Sequence, residues 1–436
     1  MIDRLPAVVR ELVETRRIPE SLPGIPRTLQ TEVLPGKATV LMGVRRSGKS
    51  TVMAQWMAAL RVKGIPRRDI LHLDFFDERL AGFGPDHFQL IVDAFLAERG
   101  GDGSKIHAFF DEIQETTGWE GFVHRIQQSL GWQVYLTGSS SRMLSKEIAS
   151  RMRGRSLSYE LFPYSFREYL QAQNLPTKVE DEESRASILG ACERFLFEGG
   201  FPESVSLTEP TRVRLHQEYF SSVLQRDLII RNDTPHPAAV RDLALRMMQD
   251  NACMHSINRL TATLQAAGHA ATKTFVASCL EWMHDAFLFF PVPIFSRSAS
   301  KRQANPRKWY CVDTGMVHSV ASRFTQDTGR TLETAVFLHL RRRGLEVAYH
   351  RTKSGKEADF VYQGEDGKKR IIQVCWDFSD ERTRTRETTA LEEAVKELKP
   401  HETFIVTGRQ EESMELAGRR VEVLPAWRFL LDSPIS

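Results

Sequence analysis

At 436 residues the chain is too long for a single core and falls in the range of two to four domains. An apolar content of 41% with 26% charged residues excludes a disordered polyelectrolyte, and a net charge of only +3 leaves nucleic-acid contact, if any, to a local patch. The five cysteines (Cys192, Cys253, Cys279, Cys311 and Cys375) are scattered without a C-x-x-C pair, which offers neither a zinc site nor a disulfide framework and fits a reducing compartment. No run of about 18 apolar residues is present. The start, MIDRLPAVVRELVETRR, has acids amid a broken apolar pattern rather than a signal-peptide h-region. A cytoplasmic location with no membrane partner is therefore expected.

Residues 5–17 have the spacing of a short amphipathic helix, and the link IPESLPGIPRTL after it is too rich in proline to be helical throughout. Strand and helix patterns then alternate. ATVLMG (38–43) predicts a buried strand, KSTVMAQWMAALRVKG a helix, ILHLDF (70–75) a strand and DHFQLIVDAFLAERGG a helix. IHAFFDE (106–112) and GWQVYLTG (131–138) predict two further strands, SRMLSKEIASRMRG a helix, and RSLSYELF (155–162) a fifth strand. Such alternation implies a parallel sheet covered on both faces. After Pro163 the pattern turns mostly helical to residue 230, broken by the GGFPE turn. Three helical segments over 237–290 and an apolar hairpin-like stretch, FLFFPVPIF to RKWYCVD, give a winged-helix order. From about 327 a small separate α/β domain is expected.

GVRRSGKS (43–50) sits where a phosphate-cradling P-loop belongs, after an apolar strand and opening a helix. Gly43 and Gly48 permit the backbone path on which successive N–H groups turn inward, Lys49 supplies charge to the β/γ-phosphates, and the Ser50 hydroxyl ligates Mg²⁺. The nucleotide-binding set is Gly43, Arg46, Ser47, Gly48, Lys49, Ser50 and Thr51. The third strand ends in Asp111 and Glu112, at the edge where parallel sheets bind ligands. Asp111 is assigned to Mg²⁺ through water and Glu112 to the attacking water as general base. Thr137, ending the fourth strand, lies between loop and acids and is a candidate for orienting that water. Arg151, Arg153 and Arg155 end the next helix pattern. They are either a solvated basic helix end or, for Arg153 and Arg155 above all, a finger reaching a neighbouring subunit's γ-phosphate.

GVRRSGKS, FFDEIQ with Trp119 after it, LTGSSS, RGR, LFPYSFREYL and GGFPE together resemble the AAA+ superfamily. More narrowly they resemble prokaryotic and archaeal-type ATPases with an AAA-type core followed by further C-terminal domains. The resemblance implies a P-loop αβα core with a helical lid, ATP and Mg²⁺ as cofactors, and a homo-oligomer, most simply a hexameric ring. The resulting division is 1–29 (N-terminal helix and linker), 30–163 (ATPase core), 164–210 (helical lid), 211–326 (winged-helix domain) and 327–436 (restriction-endonuclease-like, PD-(D/E)XK-like α/β domain).

FSRSASKRQANPRK (295–308) carries Arg297, Lys301, Arg302, Arg307 and Lys308 without an acid among them, and is the candidate DNA contact. The recognition-helix candidate, KTFVASCLEWMHDA, is not basic. Contact would therefore be with the DNA backbone, the alternative being a winged helix used for protein packing. In the tail, Glu333, Asp359 and Gln373-Val374-Cys375 follow the nuclease layout, but Gln373 stands at the second-acid position and Cys375 at the lysine position. A neutral amide is a weak Mg²⁺ ligand and a thiol carries no positive charge, so an inactive fold is expected, unless Lys353 or Lys356 migrates in beside Glu357 and Asp359. The function expected is an oligomeric ATPase coupling hydrolysis to DNA remodelling. A nucleotide-dependent switch acting through the winged helix is the alternative, and an ATP-dependent nuclease the third reading.

Overall fold

The computed structural model describes residues 4–100, 105–139, 154–321 and 327–432, and the chain divides into two units at Leu161/Phe162. Predicted helix 141–154, with Arg151 and Arg153, lies almost wholly outside the described residues.

In the first unit, helix α1 (Leu5–Glu14) precedes strand β1 (Ala38–Met42), α2 (Lys49–Val62), β2 (Ile70–Asp74), α3 (Phe88–Arg99), β3 (His107–Asp111), α4 (Trp119–Ser129), β4 (Gln133–Gly138) and β5 (Ser156–Glu160). All strand pairs are parallel, in the order β2-β3-β4-β1-β5. β1, β3 and β4 are buried along their whole length, as continuous apolar runs between two helical layers should be. Phe109 and Tyr135 stack across β3 and β4 with ring centroids 4.2 Å apart. The apolar stripe of α1 (Leu5, Val9, Leu12, Val13) is buried. Arg16, just beyond it, donates to the Ile70 carbonyl at 2.8 Å, pairs with Glu98 at 2.9 Å and lies over the Phe95 ring. The proline-rich link is strapped down: Gln55 of α2 donates to the carbonyls of Pro23 and Ile25, and Arg27 donates to that of Ser47 at 2.9 Å.

The second unit opens with helices α5 (Phe166–Ala172), α6 (Glu182–Glu198) and α7 (Glu209–Ser222). α7 runs on as a π-helix, Val223–Ile230, whose carbonyls at Asp227 and Leu228 accept from the Asn232 amide. Then come α8 (Pro237–Gln249), β6 (Cys253–His255), α9 (Ile257–Ala266), α10 (Lys273–Asp285), β7 (Phe289–Val292), α11 (Ala299–Ala304), β8 (Arg307–Cys311) and α12 (Thr314–Val320). β6, β8 and β7 form an antiparallel sheet in that order. Val276, Cys279, Leu280 and Met283 of α10 face the core, so this helix spends its apolar side on packing.

The remainder is α13 (Thr328–Arg342), β9 (Ala348–Arg351), β10 (Glu357–Gln363), β11 (Lys369–Cys375), α14 (Glu381–Leu398), β12 (Glu402–Thr407), β13 (Glu412–Leu416), β14 (Arg419–Pro425) and α15 (Ala426–Asp432). Its six-stranded sheet, β13-β14-β12-β11-β10-β9, is parallel at β11–β12 and β12–β14 and antiparallel elsewhere. Val361, Ile371, Leu391, Val395, Ile405 and Val423 make the core between sheet and α14.

The GGFPE turn is locked from afar. The Asp313 carboxylate accepts the Gly200 N–H at 2.7 Å and the Met316 N–H at 2.8 Å. A Cβ on Gly199 would lie 2.2 Å from Asp313 Oδ1, and one on Gly315 2.1 Å from the Glu198 carbonyl oxygen, so neither position admits a side chain.

Candidate functional site

Strand order assembles the first site. β4 lies between β1, which leads into the GVRRSGKS loop, and β3, which ends in Asp111. Because all three run parallel, their C-terminal ends reach one edge, and the β4 terminus stands between loop and acid. Thr137 fills that place. Its hydroxyl donates to Asp111 Oδ1 and accepts the Glu112 backbone N–H at 2.9 Å, so it fixes both acidic residues at once. Glu112 itself turns off the strand in the left-handed region, at φ 47°.

The loop reaches the same cluster through Lys49. Its ammonium, 4% exposed, is 3.3 Å from Glu112 Oε1 and donates to the carbonyls of Gly43 (3.2 Å) and Val44 (3.3 Å). The Gln114 amide donates to Glu112 Oε2 at 2.5 Å. Burial pushes the Glu112 carboxyl up, but Lys49, Gln114 and Arg45 together hold it below the usual carboxylate range. Sequence reading passed over Asp74. It ends β2 directly opposite Asp111, and partial burial with the charges of Asp111 and Glu112 pushes it up to about 6. An acid ending the strand that follows the P-loop helix was the available signal.

The loop suits a triphosphate. Gly43 sits so close to β5 that a Cβ would be 2.1 Å from the Leu161 carbonyl oxygen. Arg46 and Gly48 both take positive φ (68° and 97°), curling the backbone ahead of α2. The Ser47 hydroxyl is buried without a protein partner. Ser50 and Thr51 are exposed in the first turn of α2, where helix N–H groups lack intrahelical acceptors. Arg155 precedes β5, half-buried, its carbonyl accepting the Ala38 N–H; Arg153 lies outside the described residues.

The basic stretch 295–308 needs a correction. Arg297, Lys301, Arg302 and Arg307 are exposed, two of them on the short helix α11. Lys308 is not a surface contact. It is the second residue of β8, with its side chain 7% exposed, and its Nζ lies 2.6 Å from Glu333, 2.5 Å from Glu357 and 3.2 Å from Asp359. Tyr310, two residues on and hence on the same strand face, donates to Glu333 at 2.5 Å. Burial would lower the Lys308 pKa, but the surrounding carboxylates raise it well above its ordinary value. Of the other candidate lysines, Lys356 pairs with Glu393 at 2.7 Å, and the Lys353 backbone N–H donates to Glu397. Arg341 and Arg342 turn inward, over the rings of Phe290 and Phe162.

Residues 35–170 match the model of a family described as an AAA domain, and residues 190–327 and 328–429 match models of two domains of unknown function. The chain is 29% identical to an uncharacterized protein of Methanocaldococcus jannaschii over 99% of this chain and 96% of the relative. It is 26% identical to an uncharacterized protein of Haemophilus influenzae over 89% and 93%. Among solved structures it is similar to a Walker-type ATPase of Pyrococcus abyssi, at 14% identity and a TM-score of 0.39, over 65% of this chain and 90% of that one. Among the described residues no helix is long and apolar enough to cross a membrane.

Proposed function

We propose that this chain, which carries an AAA-type P-loop ATPase domain over residues 35–170, hydrolyses ATP and uses the cycle to bind and remodel DNA as an oligomer. One observation carries the hydrolytic half. Lys49, Glu112, Thr137 and Asp111 form an unbroken series of contacts from the loop to the end of β3. Lys49 leaves Glu112 for the β/γ-phosphates when nucleotide enters, which frees the carboxylate to take a proton from water. Thr137 keeps the Glu112 backbone fixed during that exchange. Bound Mg²⁺, held by Ser50 and Asp111, would neutralise phosphate charge. Gly43, Arg46, Ser47, Gly48 and Thr51 line the phosphates, and Arg153 or Arg155 supplies charge to a neighbouring subunit's site.

The DNA half rests on the four exposed cations Arg297, Lys301, Arg302 and Arg307, and on the helix and strand order of residues 237–311, which fits a winged helix. We read residues 327–432 as a PD-(D/E)XK-like fold that does not cut, a reading that its mixed sheet and the position of Glu333 and Asp359 support. The test is ATP turnover with and without branched, duplex and single-stranded DNA, with electron microscopy of the ATP-bound Glu112→Gln protein. Turnover stimulated by DNA, with rings on it, is the expected result. Slow hydrolysis indifferent to DNA would favour the regulatory switch.

A further inference from the structure

A nuclease of this layout holds a divalent ion between an acid on the first helix and acids at adjacent strand ends, with a lysine beside the water. Here each of those groups is already engaged. Glu333 is bonded to Lys308 and Tyr310, and one Asp359 oxygen faces Lys308 while the other accepts the Val374 N–H at 2.9 Å. Gln373 donates to Glu387 at 2.7 Å, and the Cys375 thiol, at the usual lysine position, donates to the Asp377 carbonyl. The centre of the carboxylates is filled by an ammonium that comes from another sheet. It lies within 2.5–3.2 Å of three carboxylates from α13 and β10. The residues present therefore do not fit the metal that the fold implies.

We propose that the Lys308 ammonium is the resident cation of the Glu333–Glu357–Asp359 cluster, standing where a nuclease would carry its divalent ion, and that the site works without metal. The cleft over this cluster, of about 930 Å³, is lined by Arg330, Lys356, Arg382 and Arg386 and by the acids Asp327, Glu381 and Glu387. Its floor carries one covalently tethered positive charge, which, unlike a metal ion, is no Lewis acid for water. The same clasp ties the β6-β8-β7 sheet to α13 and β10. This inference rests on the nuclease-like reading above only for the kind of ion displaced, and it is independent of ATP hydrolysis.

The experiment is a Mn²⁺ titration of the full-length, nucleotide-free protein followed by electron paramagnetic resonance. The variants are Lys308→Met alone and Lys308→Met combined with Asp359→Asn. Wild type is expected to show no Mn²⁺ site that depends on Glu333 or Asp359. Lys308→Met is expected to gain one, binding at least tenfold tighter than any wild-type site, and the added Asp359→Asn to abolish it. A folded Lys308→Met protein, judged by circular dichroism, that gains no site overturns the proposal. If that variant does not fold, wild type decides against Glu333→Gln and Asp359→Asn: equal Mn²⁺ binding and no plasmid nicking in millimolar Mg²⁺ or Mn²⁺ support it. Mn²⁺ binding or nicking lost in either variant overturns it. ATP turnover measured in parallel reports on the ATPase reading alone, so the two can fail separately.

Discussion

Two lysines, each facing carboxylates, divide the labour of this molecule. Lys49 sits at the start of α2, held by one carboxylate and two loop carbonyls at 3.2–3.3 Å, contacts that a phosphate can replace. Lys308 sits inside a central strand, held by three carboxylates at 2.5–3.2 Å, and nothing that enters from solvent offers more. The difference lies in what each backbone can do. A lysine on a glycine-framed loop keeps an exchangeable charge. One on a strand hydrogen-bonded on both sides has a fixed charge that only the carboxylates built around it can offset.

The comparison breaks most visibly in stability. Lys308→Met should destabilise the second unit by about 3–5 kcal/mol, since three buried carboxylates lose their counter-ion. Adding Glu333→Gln should recover part of that loss in chemical denaturation. Lys49→Met should abolish nucleotide binding and cost less stability than Lys308→Met, because it leaves one carboxylate without its counter-ion rather than three. Equal losses for the two would end the distinction. Glu112→Gln should keep ATP binding and lower turnover by about 10²-fold or more, about 2.7 kcal/mol of barrier, in a steady-state assay. Thr137→Val keeps the shape but removes the bridge between Asp111 and the Glu112 N–H; about a tenfold loss in kcat with little change in nucleotide affinity is expected.

A pH series sharpens the second site. Burial, only partly offset by Lys308 and reinforced by Asp359, pushes the Glu333 carboxyl from 4.5 to about 7. The folded state therefore binds the extra proton. Its contribution is complete below about 4.5 and is lost as pH rises through about 7, by at most about 1.4 kcal/mol per pH unit. Denaturation of wild type against Glu333→Gln should show that slope vanish in the variant. The smallest effect belongs to the exposed cations: reversing Lys301 and Arg302 should lower the salt slope of DNA binding by about 1.8, and an unchanged slope would remove α11 from the contact.

The first site was legible because its parts are local. GVRRSGKS and the FFDE strand end carry their chemistry within a few residues, and continuous apolar runs announced β1, β3 and β4. Thr137 was placed between loop and acids, but its bonds to Asp111 and to the Glu112 N–H were not foreseen, and Asp74, on the strand beside β3, was passed over. Lys308 was misplaced because its partners are 25 to 51 residues away, and a lysine among basic neighbours reads as surface. The Lys308–Tyr310 alternation in RKWYC was the available clue. The β13–β14 hairpin went unforeseen because its turn, Ala417-Gly418, takes positive φ at both residues with alanine where asparagine or aspartate usually signals such a turn.

The junction of Gly199 and Gly200 with Asp313 and Gly315 has an evolutionary consequence. The pairing spans 113 positions, yet neither side tolerates an added methyl without moving the other. Descendants of this gene should lose or keep the Gly199-Gly200 pair and the Asp313 and Gly315 pair together. In distant, poorly alignable cousins, that joint inheritance would serve as a landmark for setting the register between the middle segments.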